Sequence, residues 1–473
     1  MLLHRLYDDG LAQASYLLGC EKSRDVIVID PNRDSDQYKR LAASLGLRIV
    51  HVTETHVHAD FVSGALELAG KTGAQLHLSG VETEHGYAYD PALGARPLAD
   101  GDILEVGMIR LEAAHTPGHT PEHMSFIVTD TAVSDMPVGA FTGDFLFVGD
   151  VGRPDLLERA AGVRGSSRDA ARQLFSSLRA FAKRPDYLQI WPGHGAGSAC
   201  GKSLSATPQS TLGYEKLSNW ALQVDDESEF VRRVLEDQTE PPAYFAEMKK
   251  MNRTGPSRLE SVRAPASASA ADIASALRAG AVLIDARPAA VYAREHIRGS
   301  VNLPMGKSFT TWAGSVVPYD VPIYLLSDVA RPGLAAAALH HLRLIGLDEV
   351  RGFATWDELA DWADAEFPLV GTTQMSVDQL QSGASAARIL DVRNAVEWRE
   401  GHIPGATHIS LAELRQRVGE LDPNQPLIVH CQSGGRSAVA ASVLEAAGFG
   451  SVANLSGGYA GWRKAGLAVE TGS

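Results

Sequence analysis

The chain has 473 residues, enough for about three domains with a sizeable core in each. Its 45% apolar and 21% charged residues exclude wholesale disorder, and its net charge of −14 excludes a general nucleic-acid or anionic-membrane role, because phosphate binding needs basic surface. Three scattered cysteines, Cys20, Cys200 and Cys431, exclude a disulfide scaffold and fit a reducing cytoplasm.

The first elements are strand-like. "ASYLLGCEKSRDVIVIDP" reads as two strands joined by a polar turn, with Cys20 packed in a strand. Leu17-Leu18-Gly19-Cys20 has the look of a lipoprotein cleavage box, but Asp8, Asp9 and Gln13 leave no apolar segment before it. No run of about 18 apolar residues predicts a membrane span. The strand "RIVHVTET" runs into His56-Val57-His58-Ala59-Asp60, and later strands end in "HTPGHTPEH" with His119, "FTGD" with Asp144 and "WPGHG" with His194. Histidines and aspartates at successive Gly/Pro turns on a rigid scaffold predict a metal site. His51, His115 and His123 read as satisfied or surface histidines. Arg153 in "VGRPDL" is a candidate for an anionic substrate group or for a structural pair. Cys200 is either a small buried residue or a thiol at the metal mouth, with Lys202 favouring its thiolate. An amphipathic helix around "DDESEFVRRVLEDQ" closes this part.

The polar stretch 252–272 then separates off a second half that repeats itself. Asp285, Arg287, His296 and Gly299 match Asp391, Arg393, His402 and Gly405 at one offset of 106. Each copy continues with an apolar strand, a turn and an alanine-rich helix, which predicts two α/β domains with parallel sheets on either side of a break at 367–376. In "LIVHCQSGGRS" a buried strand meets a glycine-rich turn and a helix. Loop amides and the helix N-terminus would face Cys431, and Arg436 adds charge. In the middle copy Ser327 aligns with Cys431, Asp328 follows it, and the glycine pair and "LSGG" are gone, so this copy is expected to be inactive.

The motifs T-H-x-H-x-D (55–60), T-P-G-H-T (116–120), T-G-D (142–144) and P-G-H (192–194) resemble the metallo-β-lactamase superfamily. The resemblance implies a four-layer αββα sandwich over about residues 1–255. Phe61 stands where dinuclear zinc hydrolases of the superfamily carry a histidine, so the set suits one metal better than two, and two imidazoles with one carboxylate form the non-haem iron pattern. The resemblance to the persulfide dioxygenase branch implies one Fe(II) per chain on His56, His119 and Asp144. His58, Asp60 and His194 would then orient ligands or waters by hydrogen bonding.

Residues 371–473 resemble the rhodanese sulfurtransferases, through "DVRNAVEWREGHIPGA", "CQSGGRS" and "NLSGGYAGW". Four residues between Cys431 and Arg436 give the short loop that suits a transferred sulfur. The resemblance implies a Cys431 persulfide cradled by Gln432, Ser433, Gly434, Gly435 and Ser437. Residues 262–366 would be a rhodanese-like module without the thiol. The order of modules resembles persulfide dioxygenase–rhodanese fusions. It implies a cytoplasmic homo-oligomer acting on a low-molecular-weight thiol persulfide, O2 and sulfite or thiosulfate, with no nucleic-acid or membrane partner. Two alternatives stay open. One is a glyoxalase II-like thioester hydrolase with Zn in place of iron, and the other is a second half that only carries sulfur or binds partners.

Overall fold

The computed structural model describes all residues except 83–86, 161, 164, 329–330, 332, 364–365, 383–386 and 473. The chain divides into two compact units, Met1–Leu259 with Leu344–Gly346, and Glu260–Arg343 with Leu347–Ser473.

The first unit holds two six-stranded sheets. One is built in sequence order from β1 (Leu2–Asp8), β2 (Gln13–Gly19), β3 (Asp25–Ile29), β4 (Arg48–Thr53), β5 (Gln75–Ser79) and β6 (Arg96–Leu98). The other runs, in reverse, through β7 (Ile103–Val106), β8 (Ile109–His115), β9 (Met124–Asp130), β10 (Gly139–Gly143), β11 (Gln189–Pro192) and β12 (Ser210–Thr211). The two-residue period of a strand explains the layering. Tyr16, Leu18, Ile27 and Ile29 point between the sheets, where they meet Leu111, Phe126, Val128 and Phe141. Their neighbours Leu17, Val26 and Val28 point outward onto the helices Ser35–Ser44 and Ala65–Thr72. On the far side Ile127, Ala140 and Ile190 pack against the helices Ser166–Phe181 and Glu227–Leu235. The result is an αββα sandwich whose strands are buried on both faces. Cys20 is buried just past the end of β2 rather than within the strand.

The second unit contains the repeat as two five-stranded sheets of one strand order. The middle copy runs Ala266–Ser267, Val350–Thr355, Ile323–Ser327, Val282–Asp285 and Val301–Asn302. The last copy runs Thr373–Met375, Val452–Leu455, Leu427–His430, Arg388–Asp391 and Thr407–His408. Every pairing in both is parallel. In each copy the Asp-x-Arg pair is a buried clamp: Arg287 is bidentate on Asp285, and Arg393 on Asp391. The polar stretches between the modules are partly structured. Residues 252–254 end the helix Phe245–Thr254, and Leu369–Val370 pairs with His296–Ile297.

Candidate functional site

The metal-binding residue types collect at one end of the sandwich, where β4, β8, β10 and β11 give way to loops carrying His56, His119, Asp144 and His194. The loop after β4 is pinned by side chains. Asp30, at the end of β3, accepts from the Thr55 amide at 2.6 Å and its hydroxyl at 3.0 Å. Glu122 accepts from the Val57 amide at 2.8 Å, and Asn252 donates to the carbonyls of His58 and Phe61 at 2.9 and 2.8 Å. A buried loop without its own ladder needs such partners.

His56, His119 and Asp144 offer ligand atoms that lie within 4.8 Å of one another. Asp144 Oδ2 stands 3.8 Å from His56 Nε2 and 3.6 Å from His119 Nε2. Two donors each about 2.1 Å from one ion and some 110–120° apart are separated by about 3.5 Å, so the spacing fits a shared metal. Among the described residues, both Nε2 atoms and both Asp144 oxygens are buried without a hydrogen-bond partner. His119 donates from Nδ1 to the Arg153 carbonyl at 2.9 Å, which leaves the Nε2 lone pair facing the centre. His56 Nδ1 is 3.0 Å from the Thr55 hydroxyl. Burial holds both imidazoles neutral, well below the ordinary histidine value, as ligation requires. Burial also pushes Asp144 up to about 6, a penalty that a divalent cation removes. His123 is a satisfied core histidine: Nε2 accepts from the Asp144 amide at 3.2 Å, Nδ1 meets Thr116 at 2.9 Å, and burial lowers it to about 3.

The neighbouring groups divide in two. His58 donates to Asp30 at 3.1 Å, its ring centre lies 4.3 Å from that of His56, and Asp30 and Thr55 link the two histidines by hydrogen bonds. Burial opposes its charge, yet Asp30, with Glu54 and Asp60, raises it to about 9. The Phe61 ring packs on it at 4.4 Å. Asp60, His194 and Cys200 form a second cluster within 4.8 Å, and His194 Nε2 is 3.3 Å from Asp60 and 3.5 Å from Asp144. His194 Nδ1 is anchored on the Ala12 carbonyl at 3.0 Å. A cavity of about 270 Å³, lined by Pro117, Gly118, Leu157, Asp169 and Gln173, reaches His119.

One expectation is corrected, and the choice left open for Arg153 falls to the structural pair. Lys202 does not activate Cys200: its ammonium is spent on the carbonyls of Arg233 and Glu236, and burial, with Asp144 and Asp60, pushes the Cys200 thiol well up. Arg153 is a structural residue. It is fully buried, bidentate on Asp155 at 2.7 Å, bonded to the Thr239 carbonyl at 2.7 Å, and its own carbonyl holds His119.

In the second unit the strand Leu427–His430 delivers Cys431, 1% exposed, to a loop that ends at the helix Gly435–Ala446. The Gly434 amide, set by φ +111°, donates to Sγ at 3.2 Å, and the Ser437 hydroxyl lies 3.5 Å from it. Ser437 is held by Asn454 at 2.6 Å. Gln432, Ser433 and Gly435 are exposed on the rim. The amides of Tyr459 and Ala460 bind the carbonyls of Cys431 and Gln432. The approach needs glycine at 458, where a Cβ would stand 2.3 Å from the Cys431 carbonyl. Arg436 is no free cation; it is bidentate on Glu397 at 2.6 and 2.8 Å, a partner that the loop motif does not announce. In the middle copy Ser327 donates to the Ala354 carbonyl at 3.1 Å, and no thiol replaces it.

Comparison with known proteins agrees with this division. The metallo-beta-lactamase superfamily model matches residues 8–194, and the rhodanese-like domain model matches 269–354 and 374–465. A Staphylococcus aureus structure described as a metallo-beta-lactamase is 42% identical, covers 75% of this chain and 98% of its own, and superposes with a TM-score of 0.66. A probable metallo-hydrolase of Burkholderia pseudomallei is 31% identical over 41% of this chain and 72% of its own length. The bovine mitochondrial persulfide dioxygenase ETHE1 is 31% identical over 34% of this chain, and the match spans 59% of that relative. Among the described residues no helix is long and apolar enough to cross a membrane. The chain belongs to the metallo-β-lactamase superfamily, its first domain homologous to the ETHE1 persulfide dioxygenase and followed in the same polypeptide by two rhodanese-like domains.

Proposed function

We propose that the chain is a bifunctional sulfur-oxidising enzyme that removes sulfide-derived persulfide. Its dioxygenase spans residues 1–255, a thiol-free rhodanese-like module 262–366 and a sulfurtransferase 371–473. His56, His119 and Asp144 hold one Fe(II) per chain. Bound there, iron supplies the redox chemistry that lets O2 react with a persulfide sulfur, the net change being thiol persulfide, O2 and water to thiol and sulfite. The chain's residues keep the site ready. The Arg153 carbonyl and Thr55 aim the two imidazoles, burial keeps them neutral, and His123 fixes the backbone of Asp144. In the last module the Cys431 thiolate attacks the outer sulfur of a second persulfide. The S–S bond breaks and the carrier thiol leaves with the proton. Sulfite then attacks the outer sulfur of the Cys431 persulfide, and thiosulfate departs as the thiolate re-forms.

The observation that carries this reading is the convergence of three buried, unpartnered donors in a domain homologous to a persulfide dioxygenase. Anaerobic iron loading, followed by O2 consumption with a panel of thiol persulfides, tests it. The expected result is one iron per chain and uptake that Asp144→Ala abolishes. A second reading, a zinc thioester hydrolase, is favoured by the cluster Asp60, His194 and Cys200 lying against Asp144. Stoichiometric zinc with thioester hydrolysis and no oxygen uptake would sink the dioxygenase.

A further inference from the structure

The helix Phe245–Thr254 packs against the loop that carries His56 and His58. Asn252 makes three hydrogen bonds to that loop, donating to the His58 and Phe61 carbonyls and accepting from the Ser63 amide at 2.9 Å. Lys249 lies one turn back on the same helix face and is 1% exposed. Its ammonium donates to the Tyr87 hydroxyl at 3.0 Å and stands 4.9 Å from the centre of that ring. Among the described residues no carboxylate pairs with it within 4.0 Å. Glu122, the acid that acts on it most strongly, keeps Oε1 on the Val57 amide. Lys249 also acts electrostatically on His56 and His119, and is acted on by Cys200 and Asp144. A buried ammonium that no described carboxylate contacts is only partly compensated, and on a helix packed against the metal loop such a group is suited to an anionic ligand.

We propose that Lys249 is a substrate-binding residue, whose ammonium holds the anionic terminal sulfur of the thiol persulfide beside His56, His119 and Asp144. The terminal S–S–H is acidic enough to be an anion at neutral pH, so substrate binding supplies a counter-charge in contact, and the sulfite product carries the same sign. The inference rests on the persulfide reading of the site, but anion binding can be read without turnover.

The test compares Lys249→Met and Lys249→Arg with the parent in the full-length, iron-loaded Cys431→Ser protein, which removes the second sulfur site. Sulfite is titrated anaerobically by calorimetry, and metal content, melting temperature and persulfide kinetics are measured alongside. Lys249→Met is expected to keep its iron and to melt no lower than the parent, because the buried charge it removes costs more in desolvation than its distant acids return. It is expected to bind sulfite at least about 10-fold more weakly and to raise KM by a similar factor, with partial recovery in Lys249→Arg. Unchanged sulfite affinity overturns the proposal. So does loss of iron or a lower melting temperature, because the lysine is then a structural counter-charge for Glu122. If no persulfide drives oxygen uptake in the wild type, the dioxygenase reading falls while the sulfite titration still decides the role of Lys249.

Discussion

Gly152 offers a sharp test of how the groups proposed to bind iron are held. A Cβ at this position would stand 1.8 Å from the Asp144 carbonyl oxygen and 3.0 Å from His119 Nδ1. Real Cβ contacts stay above 3.0 Å, so Gly152→Ala forces a displacement of at least about 1.2 Å between the two segments. The atoms that must give way belong to two of the three proposed metal-binding residues, and the next residue, Arg153, carries the carbonyl that orients His119. A misplacement of about 1 Å can cost about 100-fold in rate, and overpacking costs about 1–3 kcal/mol of stability. Gly152→Ala is therefore expected to lower oxygen uptake about 100-fold and to shed iron, while sulfur transfer at Cys431 continues at the wild-type rate. Gly149, three residues earlier, has φ +81° and open space around it, so Gly149→Ala meets only backbone strain of about 1–2 kcal/mol and should keep its iron. Metal analysis, an oxygen electrode and a thiosulfate assay on the two variants decide the matter. Wild-type iron and uptake in Gly152→Ala would show that residues 144–152 move without carrying the ligand atoms along, and the positioning argument would fail.

Cys431→Ser is expected to abolish thiosulfate formation from persulfide and sulfite and to leave oxygen uptake unchanged, and thiosulfate production by the variant would exclude a Cys431 persulfide. Trp312→Ala removes the indole that lies 3.5 Å from a Cβ built on Gly435, and should raise KM for the sulfur donor by less than about 10-fold without touching iron content, as steady-state kinetics will read. Glu397 is raised by burial, but its bonds to Arg436 win and hold its carboxyl below the usual value. The contribution of this pair is present above about pH 4.5 and lost as pH falls through the depressed folded value. Melting curves of the chain between pH 6 and 3.5 should show that slope flattened in Glu397→Gln.

The groups most legible in the sequence are those whose chemistry is tied to a turn. His56, His119, Asp144 and His194 each follow a strand, and Cys431 sits between a buried strand and paired glycines, so residue type and local pattern coincide. The groups that aim them were not legible. Asp30 ends a hydrophobic strand as any turn residue would, yet it pins Thr55 and His58. Lys249 and Asn252 lie in a helix whose polar pattern reads as a solvated face, and only the packing of that helix on the metal loop buries them. Lys202 erred the other way, since charge beside a thiol invites an activating role and only tertiary structure reveals the helix-end carbonyls that occupy it, just as only tertiary structure decides Arg153 for its Asp155 pair. Short polar edge strands such as Ala266–Ser267 and Leu369–Val370 carry too few residues for any period to register.

The duplicated modules separate what holds this fold from what performs chemistry on it. Both copies keep the buried Asp-x-Arg clamp, and each guanidinium lies on an aromatic ring, Arg287 over Trp356 at 3.6 Å and Arg393 over Tyr459 at 4.0 Å. A feature retained where the thiol is lost cannot be required by sulfur transfer alone. Removing one partner of such a buried pair costs about 3–5 kcal/mol, enough to account for its retention. The last copy alone adds Cys431, the Gly434 amide, the Ser437–Asn454 bond and the close approach at Gly458. The middle copy, which lacks the thiol, grips the helix Gly435–Ala446 that begins at the Cys431 loop. Trp312 lies at its start, the Asn302 amide donates to Ser442 at 2.9 Å, and His296 reaches Glu445 at 3.4 Å near its end. A helix fixed at three points along its length keeps its N-terminal amides aimed at Cys431 as the sulfur changes charge and bulk. On these contacts the thiol-free copy serves as a backing for the copy that carries Cys431.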